Sequence, residues 1–298
     1  MTPPPVHVIG ASGRSGAALC RALLSRGTPV VAVVRSPERL AAAGLPPGLA
    51  VRTADLTSPG ALAAALSGAT SVASLAHARH AAAILSASPP GARYVFLGST
   101  RMHTRWPDAH GLGVRAGEAA FLGSGRAGVM LHPTMIYGAQ GEDNVQRLAA
   151  LLRRLPAWRG RPLVPLPGGG RALVQPIHQS DVTACVLAAL AHPWDGPHAL
   201  TIAGPEAVPY AEFVRLVARA AGLPAPRVVA VPVAPLVAAT PLTLLPFLPR
   251  VRPGELRRLL EDKAFDTAPM RAALGVTPVA LAQGLAATFA RPPALTAT

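Results

Sequence analysis

Short apolar runs, each closed by turn residues, alternate along the first half of the chain with stretches of helical spacing. Val6-His7-Val8-Ile9, held between the prolines at 3 to 5 and Gly10, predicts a buried strand, and Ala17 to Leu24 predicts a helix ending near Gly27. Pro29 to Val34 predicts the second strand, and a helix then starts near Pro37 and stops near Gly44. Leu49 to Arg52, Ser71 to Leu75 and Tyr94 to Leu97 predict three more strands, with helices over Ser58 to Leu66 and His77 to Ser86 between them. Strands alternating with helices in this way require crossovers, so the pattern predicts an α/β fold, a doubly wound parallel sheet covered on both faces. About seven strands are expected, in the order 3-2-1-4-5-6 with the seventh beside the sixth, together with a smaller carboxyl-terminal lobe.

The stretch between the first strand and first helix is rich in glycine: Gly10, Ser12, Gly13, Arg14, Ser15 and Gly16. The three glycines serve different physical ends. Gly10 permits the tight turn, Gly13 lets backbone approach a pyrophosphate, and Gly16 allows close packing of helix on strand. The helix amino end then presents unpaired N–H groups and the positive end of its dipole to an anion. The second strand ends about 20 residues past the last glycine, where a dinucleotide-binding unit selects its cofactor. Arg35 stands there in place of an acidic residue, and Arg14 and Arg39 are near it in sequence. A cation suits a 2′-phosphate, so NADP is favoured, with NAD the alternative. Asp55, just past the third strand, lies at an end of the sheet where such folds keep their ligands.

Composition changes this picture little. The chain has 298 residues, half of them hydrophobic, enough for one large domain or a principal domain with a smaller lobe. The formal charge is +14, but the basic residues are scattered and aromatics make up only 4%, which argues against a nucleic-acid partner. Lys263 is the sole lysine, and the Arg, Ala, Pro and Gly bias reads as coding bias. No basic stretch leads an apolar segment at the amino end, so a cytoplasmic location is expected. Cys20 and Cys185 are isolated, as reduced buried thiols are, and no metal site is expected. Val228 to Pro249 is uncharged and apolar, followed by Arg250, Arg252, Arg257 and Arg258. Its five prolines oppose a spanning helix, and packing within the substrate lobe is favoured over peripheral membrane or partner contact. The turn-rich stretch from Pro162 to Arg171 predicts a loop edging the cleft.

The glycine turn, Ala54-Asp55-Leu56, Leu97-Gly98-Ser99-Thr100, His132-Pro133-Thr134-Met135-Ile136-Tyr137-Gly138 and Ile177-His178-Gln179-Ser180-Asp181-Val182 follow one another in a familiar order. The chain resembles the extended and atypical short-chain dehydrogenase/reductases, more narrowly the NAD-dependent epimerase/dehydratase group of nucleoside-diphosphate-sugar epimerases. That resemblance implies a Rossmann domain over residues 1–140 completed by 172–203, with residues 141–171 and 204–298 as the substrate lobe. It implies that Asp55 and Leu56 border the adenine, that Leu75, Ala76 and His77 border the riboses, and that Pro133 and Thr134 line the nicotinamide. It also implies a small-molecule substrate, a nucleotide sugar or another carbonyl or hydroxyl compound, oriented by a hydroxyl at the position of Ser99.

Members of this superfamily usually pair a tyrosine with a lysine four residues later, which lowers the phenol pKa for proton exchange. Here the residues four past Tyr94, Tyr137 and Tyr210 are Gly98, Gly141 and Val214. Alignment by Glu118 puts His110 at the tyrosine position and Val114 at the lysine position. The catalytic expectation is therefore Ser99 with His110, an imidazole being able to exchange protons near neutral pH without a lysine. Two function classes follow: an NADP-dependent oxidoreductase or epimerase-like enzyme with an altered acid/base, or an NADP(H)-binding sensor or structural protein without turnover.

Overall fold

The computed structural model describes residues 3–138, 144–238 and 253–290. In chain order the first half contains β1 (Val6–Ile9), α1 (Arg14–Leu24), β2 (Val30–Val34), α2 (Pro37–Ala41), β3 (Ala50–Thr53), α3 (Pro59–Leu66), β4 (Ser71–Ser74), α4 (Ala81–Ala87), β5 (Arg93–Leu97), α5 (Ala109–Leu122) and β6 (Gly128–Pro133). There follow β7 (Ile136–Tyr137), α6 (Val145–Arg154), β8 (Ala157–Trp158), β9 (Arg161–Pro167), β10 (Leu173–Val174), β11 (Ile177–His178), α7 (Gln179–Ala191) and β12 (Pro197–Ile202). The last are β13 (Val208–Pro209), α8 (Tyr210–Ala220), β14 (Arg227–Val231), α9 (Val233–Ala238), α10 (Pro253–Arg258), α11 (Ala268–Leu274) and α12 (Leu281–Phe289).

Contacts gather the chain into two compact units: Met1–Thr134, Gln179–Ala203 and Asp266–Thr277 form the first, and Met135–His178, Gly204–Phe265 and Pro278–Thr298 the second. Unit one holds a seven-stranded parallel sheet in the order β12-β6-β5-β4-β1-β2-β3, the predicted order with the seventh strand beside the sixth. Every residue of β1 and β2 is buried, as central strands covered on both faces must be, whereas edge strand β3 is mostly exposed. One core joins Val31, Val33, Leu62, Leu66, Val72, Ile84, Phe96 and Phe121. Within it Tyr94 stacks on Phe96 at 5.5 Å and Phe96 meets Phe121 at 5.1 Å. Cys20 and Cys185 are buried and free, and burial pushes each thiol up to about 12.

Unit two has its own cores, one of them formed by Leu152, Val164, Leu166, Ala211, Val214 and Ala218. The loop expected over 162–171 is instead mostly strand: β9 runs parallel to β14 from Leu163 to Pro167, and a short turn, Gly168–Gly170, follows. Its prolines mislead because the arm before β9 reaches only as far as Leu163, whose N donates to Pro156 O at 3.0 Å, so beyond that point β9 needs no N–H on its second side. The apolar stretch read over 228–249 divides between β14, α9 and residues 239–249, the last outside the described residues. Among the described residues no helix is long and apolar enough to cross a membrane.

Candidate functional site

The predicted cofactor residues all belong to unit one, and they gather at the carboxyl ends of its parallel strands. Gly10 leaves β1 with φ of 79°, and a Cβ there would lie 3.0 Å from Ala76 N and 3.2 Å from Leu75 C. Gly13 N donates to Gly10 O at 2.9 Å and closes the turn. A Cβ on Gly16 would sit 2.1 Å from Gly10 O, so the first turn of α1 approaches the strand as only glycine allows. Gly13 is the N-cap, with no side chain bonded to the helix N–H groups, and Gly13 and Arg14 are exposed. A cradle of open backbone donors at a helix start fits a pyrophosphate. Ser12 is half-buried; Ser15 Oγ donates to Gln179 Oε1 at 2.8 Å, tying α1 to the buried start of α7.

Arg35 is exposed just past β2. Asp55 accepts from Thr57 N at 2.8 Å and from Thr57 Oγ1 at 2.6 Å. These bonds, with the nearby Arg35 charge as a smaller cause, hold its carboxyl below the usual range. Leu56 is half-buried and packs against the core of unit one. After β4, Leu75 N donates to Ile9 O at 2.9 Å, and Leu75, Ala76 and His77 are half-buried.

His77 and His110 meet edge to face, with ring centroids 4.5 Å apart. His77 Nδ1 accepts from Arg79 N at 3.1 Å, which leaves its proton on Nε2. Desolvation lowers the pKa of both imidazoles, helped by His110 at His77 and by Arg101 at His110, where Asp108 opposes the shift. Both are therefore neutral at pH 7. Asp108 caps α5 by accepting from Gly111 N at 2.9 Å and pairs with Arg101, which fixes the helix start carrying His110. Val114 of α5 is buried in the core. Gly117 of α5 lies against the Ala78–His80 turn so closely that a Cβ would be 2.0 Å from Ala78 O.

Ser99 Oγ accepts from Arg101 N at 3.2 Å, while Ser99 N donates to His132 Nδ1 at 3.2 Å. That bond puts the His132 proton on Nε2, which faces the Glu118 carboxylate. His132 is 3% exposed, and its burial lowers the pKa against the pull of Glu118. The pair was missed at the sequence level, where Glu118 served only as an alignment mark. One signal was present in the sequence, a histidine directly after the apolar run Val129 to Leu131; the structure adds that a Cβ on Gly98 would fall 2.4 Å from His132 Nδ1. Thr100 Oγ1 donates to Pro133 O at 3.2 Å, which joins the ends of β5 and β6. Thr134 follows with a buried hydroxyl that has no hydrogen-bond partner among the described residues, and Pro133 is buried beside it. An unpaired hydroxyl at this strand end fits a ligand with a polar group to offer.

Residues 10–112 match a family model described as NAD(P)H-binding. No curated protein matches the chain. Among solved structures, MoeE5 in complex with UDP-glucuronic acid and NAD is 22% identical, covering 95% of this chain and 97% of that one with a TM-score of 0.69. The UDP-glucose 4-epimerase of Thermotoga maritima is 15% identical over 96% and 97%, with a TM-score of 0.72. An NADPH-dependent quinone oxidoreductase, QOR2, from Escherichia coli in complex with NADPH is 18% identical over 96% and 100%, also with a TM-score of 0.72. Residues 10–112 thus carry an NAD(P)H-binding match, and over nearly its whole length the chain shares the fold of these epimerase and oxidoreductase structures.

Proposed function

We propose that the protein is an NADP(H)-dependent oxidoreductase that acts on a small carbonyl or hydroxyl compound. The observation that carries the reading is Arg35, an exposed cation just past β2 where an acidic side chain would select NAD. The backbone donors from Gly10 to Gly16 would hold the pyrophosphate, Arg35 the 2′-phosphate, Asp55 and Leu56 the adenine, and Leu75, Ala76 and His77 the riboses. Pro133 and Thr134 would line the nicotinamide, which when bound supplies or accepts a hydride. Ser99 would orient the substrate oxygen, and neutral His110 would accept or return its proton.

A quinone-type acceptor suits this chain better than a nucleotide sugar. Reduction of a quinone yields a phenolate-like oxygen that demands little of a proton donor, and here the tyrosine–lysine pair is missing. An NADPH-dependent quinone oxidoreductase of the same fold supports that choice. Titration with NADPH and NADH tests the cofactor: Arg35→Ala should weaken NADPH by on the order of 1.5 to 3 kcal/mol and leave NADH nearly unchanged. Equal losses would end the role of Arg35. NADPH oxidation across quinones, aldehydes and nucleotide sugars tests the chemistry. The second reading, cofactor binding without turnover, is favoured by buried Val114 at the lysine position, and tight NADPH binding with no oxidation across the panel would establish it.

A further inference from the structure

The clearest unassigned feature of unit two is the tip of the β8–β9 hairpin. Residues 156–161 are all exposed, and Trp158 keeps 48% of its surface in solvent. Two residues, Arg159 and Gly160, join the strands with φ of 51° and 72°. Such turns ordinarily take Asn-Gly or Asp-Gly, because a Cβ at positive φ crowds the following carbonyl and only a short polar side chain offsets that locally. Arg159 is the one non-glycine residue with positive φ among the described residues, so a long cation sits where the backbone disfavours it. Strain held at an exposed tip points to a use for that side chain.

The surroundings indicate which use. Arg159 and Arg227 both lie against the Trp158 indole, with guanidinium carbons 4.6 and 4.7 Å from the ring centroid. Arg227 and Val229 occupy alternate positions of edge strand β14, hence the same face of the sheet, and Val229 is 42% exposed. From Asn144 to His178 the chain carries six arginines and no acidic residue, and Arg153 and Arg154 are exposed at the end of α6 just before the hairpin. Indole, aliphatic surface and guanidinium groups are thus interleaved with no acidic residue in the segment. Nucleic acid suits this patch poorly: it has a single indole, and guanidinium groups already lie against the ring on which a base would stack. Tryptophan and arginine with apolar area beside them suit the headgroup region of a charged bilayer.

We propose that the β8–β9 hairpin with the Arg227–Val229 edge is a docking surface for anionic phospholipid membranes. The test uses the full-length protein with phosphatidylcholine vesicles and with phosphatidylcholine–phosphatidylserine vesicles, sedimented at low and high salt. The expected result is binding only to the phosphatidylserine-containing vesicles, lost at high salt. Arg159→Gly and Arg227→Gln should each weaken it by about fivefold, and Trp158→Ala should weaken it further. Arg159→Gly also relieves the positive φ, so the melting temperature should hold or rise while binding falls, which separates docking from folding. Absence of binding to charged vesicles overturns the proposal. So does unchanged binding by a variant combining Trp158→Ala, Arg159→Gly and Arg227→Gln, or salt-dependent binding of single-stranded nucleic acid or an acidic peptide where vesicles fail.

Discussion

The glycine turn after β1 and the Ser99 shelf after β5 lie at the same ends of one sheet, yet they are made of different material. The turn is backbone: its shape follows from Gly10 at φ 79° and from Gly16, whose missing Cβ lets α1 come down on Gly10 O. It contains no histidine, cysteine or carboxylate. The shelf is side chain: Glu118, His132, Ser99, Arg101 and Asp108 come from α5, β6 and the loop between β5 and α5. Backbone donors are fixed by local sequence, whereas a shelf assembled from several elements depends on each of them packing correctly and on protonation.

Adding volume to the turn should give the largest effect. Gly16→Val places atoms where backbone already stands, so stability should fall by about 3 kcal/mol, read by thermal melting, with NADPH binding lost. If Gly16→Val binds NADPH like the parent, the turn is not the cofactor cradle. In the shelf, His110→Ala and Ser99→Ala should each slow turnover by about 10²-fold while the fold persists. Because burial lowers the His110 pKa from 6.5, the parent should keep activity in the alcohol-oxidising direction at pH 6.5 and lose it as pH falls through the lowered pKa. Removing His110 should remove that limb of the pH profile; a limb that survives assigns it to another group.

Protonation should also sharpen the contrast at the level of the fold. His7 and His132 are buried with pKa values lowered from 6.5, chiefly by desolvation. The unfolded chain therefore takes up protons first as pH drops. Stability is fully present above 6.5 and is lost as pH falls through the lowered folded values. Melting between about pH 7 and about pH 5 should show the decline, and His7→Leu should flatten it. A melting temperature that is flat over this range would mean that both imidazoles accommodate a proton in place. The smallest effect is expected at Tyr137, whose hydroxyl donates weakly to Leu281 O at 3.5 Å within unit two. Tyr137→Phe should change stability by about 1 kcal/mol or less and leave the rate unchanged, and a large rate loss would make it, not His110, the proton-exchanging residue.

Periodicity and turn chemistry were enough to read the first unit from the sequence. Val6 to Ile9, the glycine turn and the helix after it are legible within 20 residues, because local backbone geometry dictates which residues can stand there. Prolines over 162–167 were misread as a loop, since whether a strand needs its N–H depends on which neighbour lies beside it. The pairing of Glu118 with His132 and of His77 with His110 brings together residues 14 and 33 positions apart. Their spacing carries no period. Only the packing of α5 over the Ala78–His80 turn, and of β5 beside β6, decides that these rings meet, lose water and become neutral. Sequence alone determined the order of the strands and the glycines that a helix start requires. Tertiary structure alone decided which imidazoles are buried and which carboxylate faces them, since desolvation and proximity are properties of the packed chain.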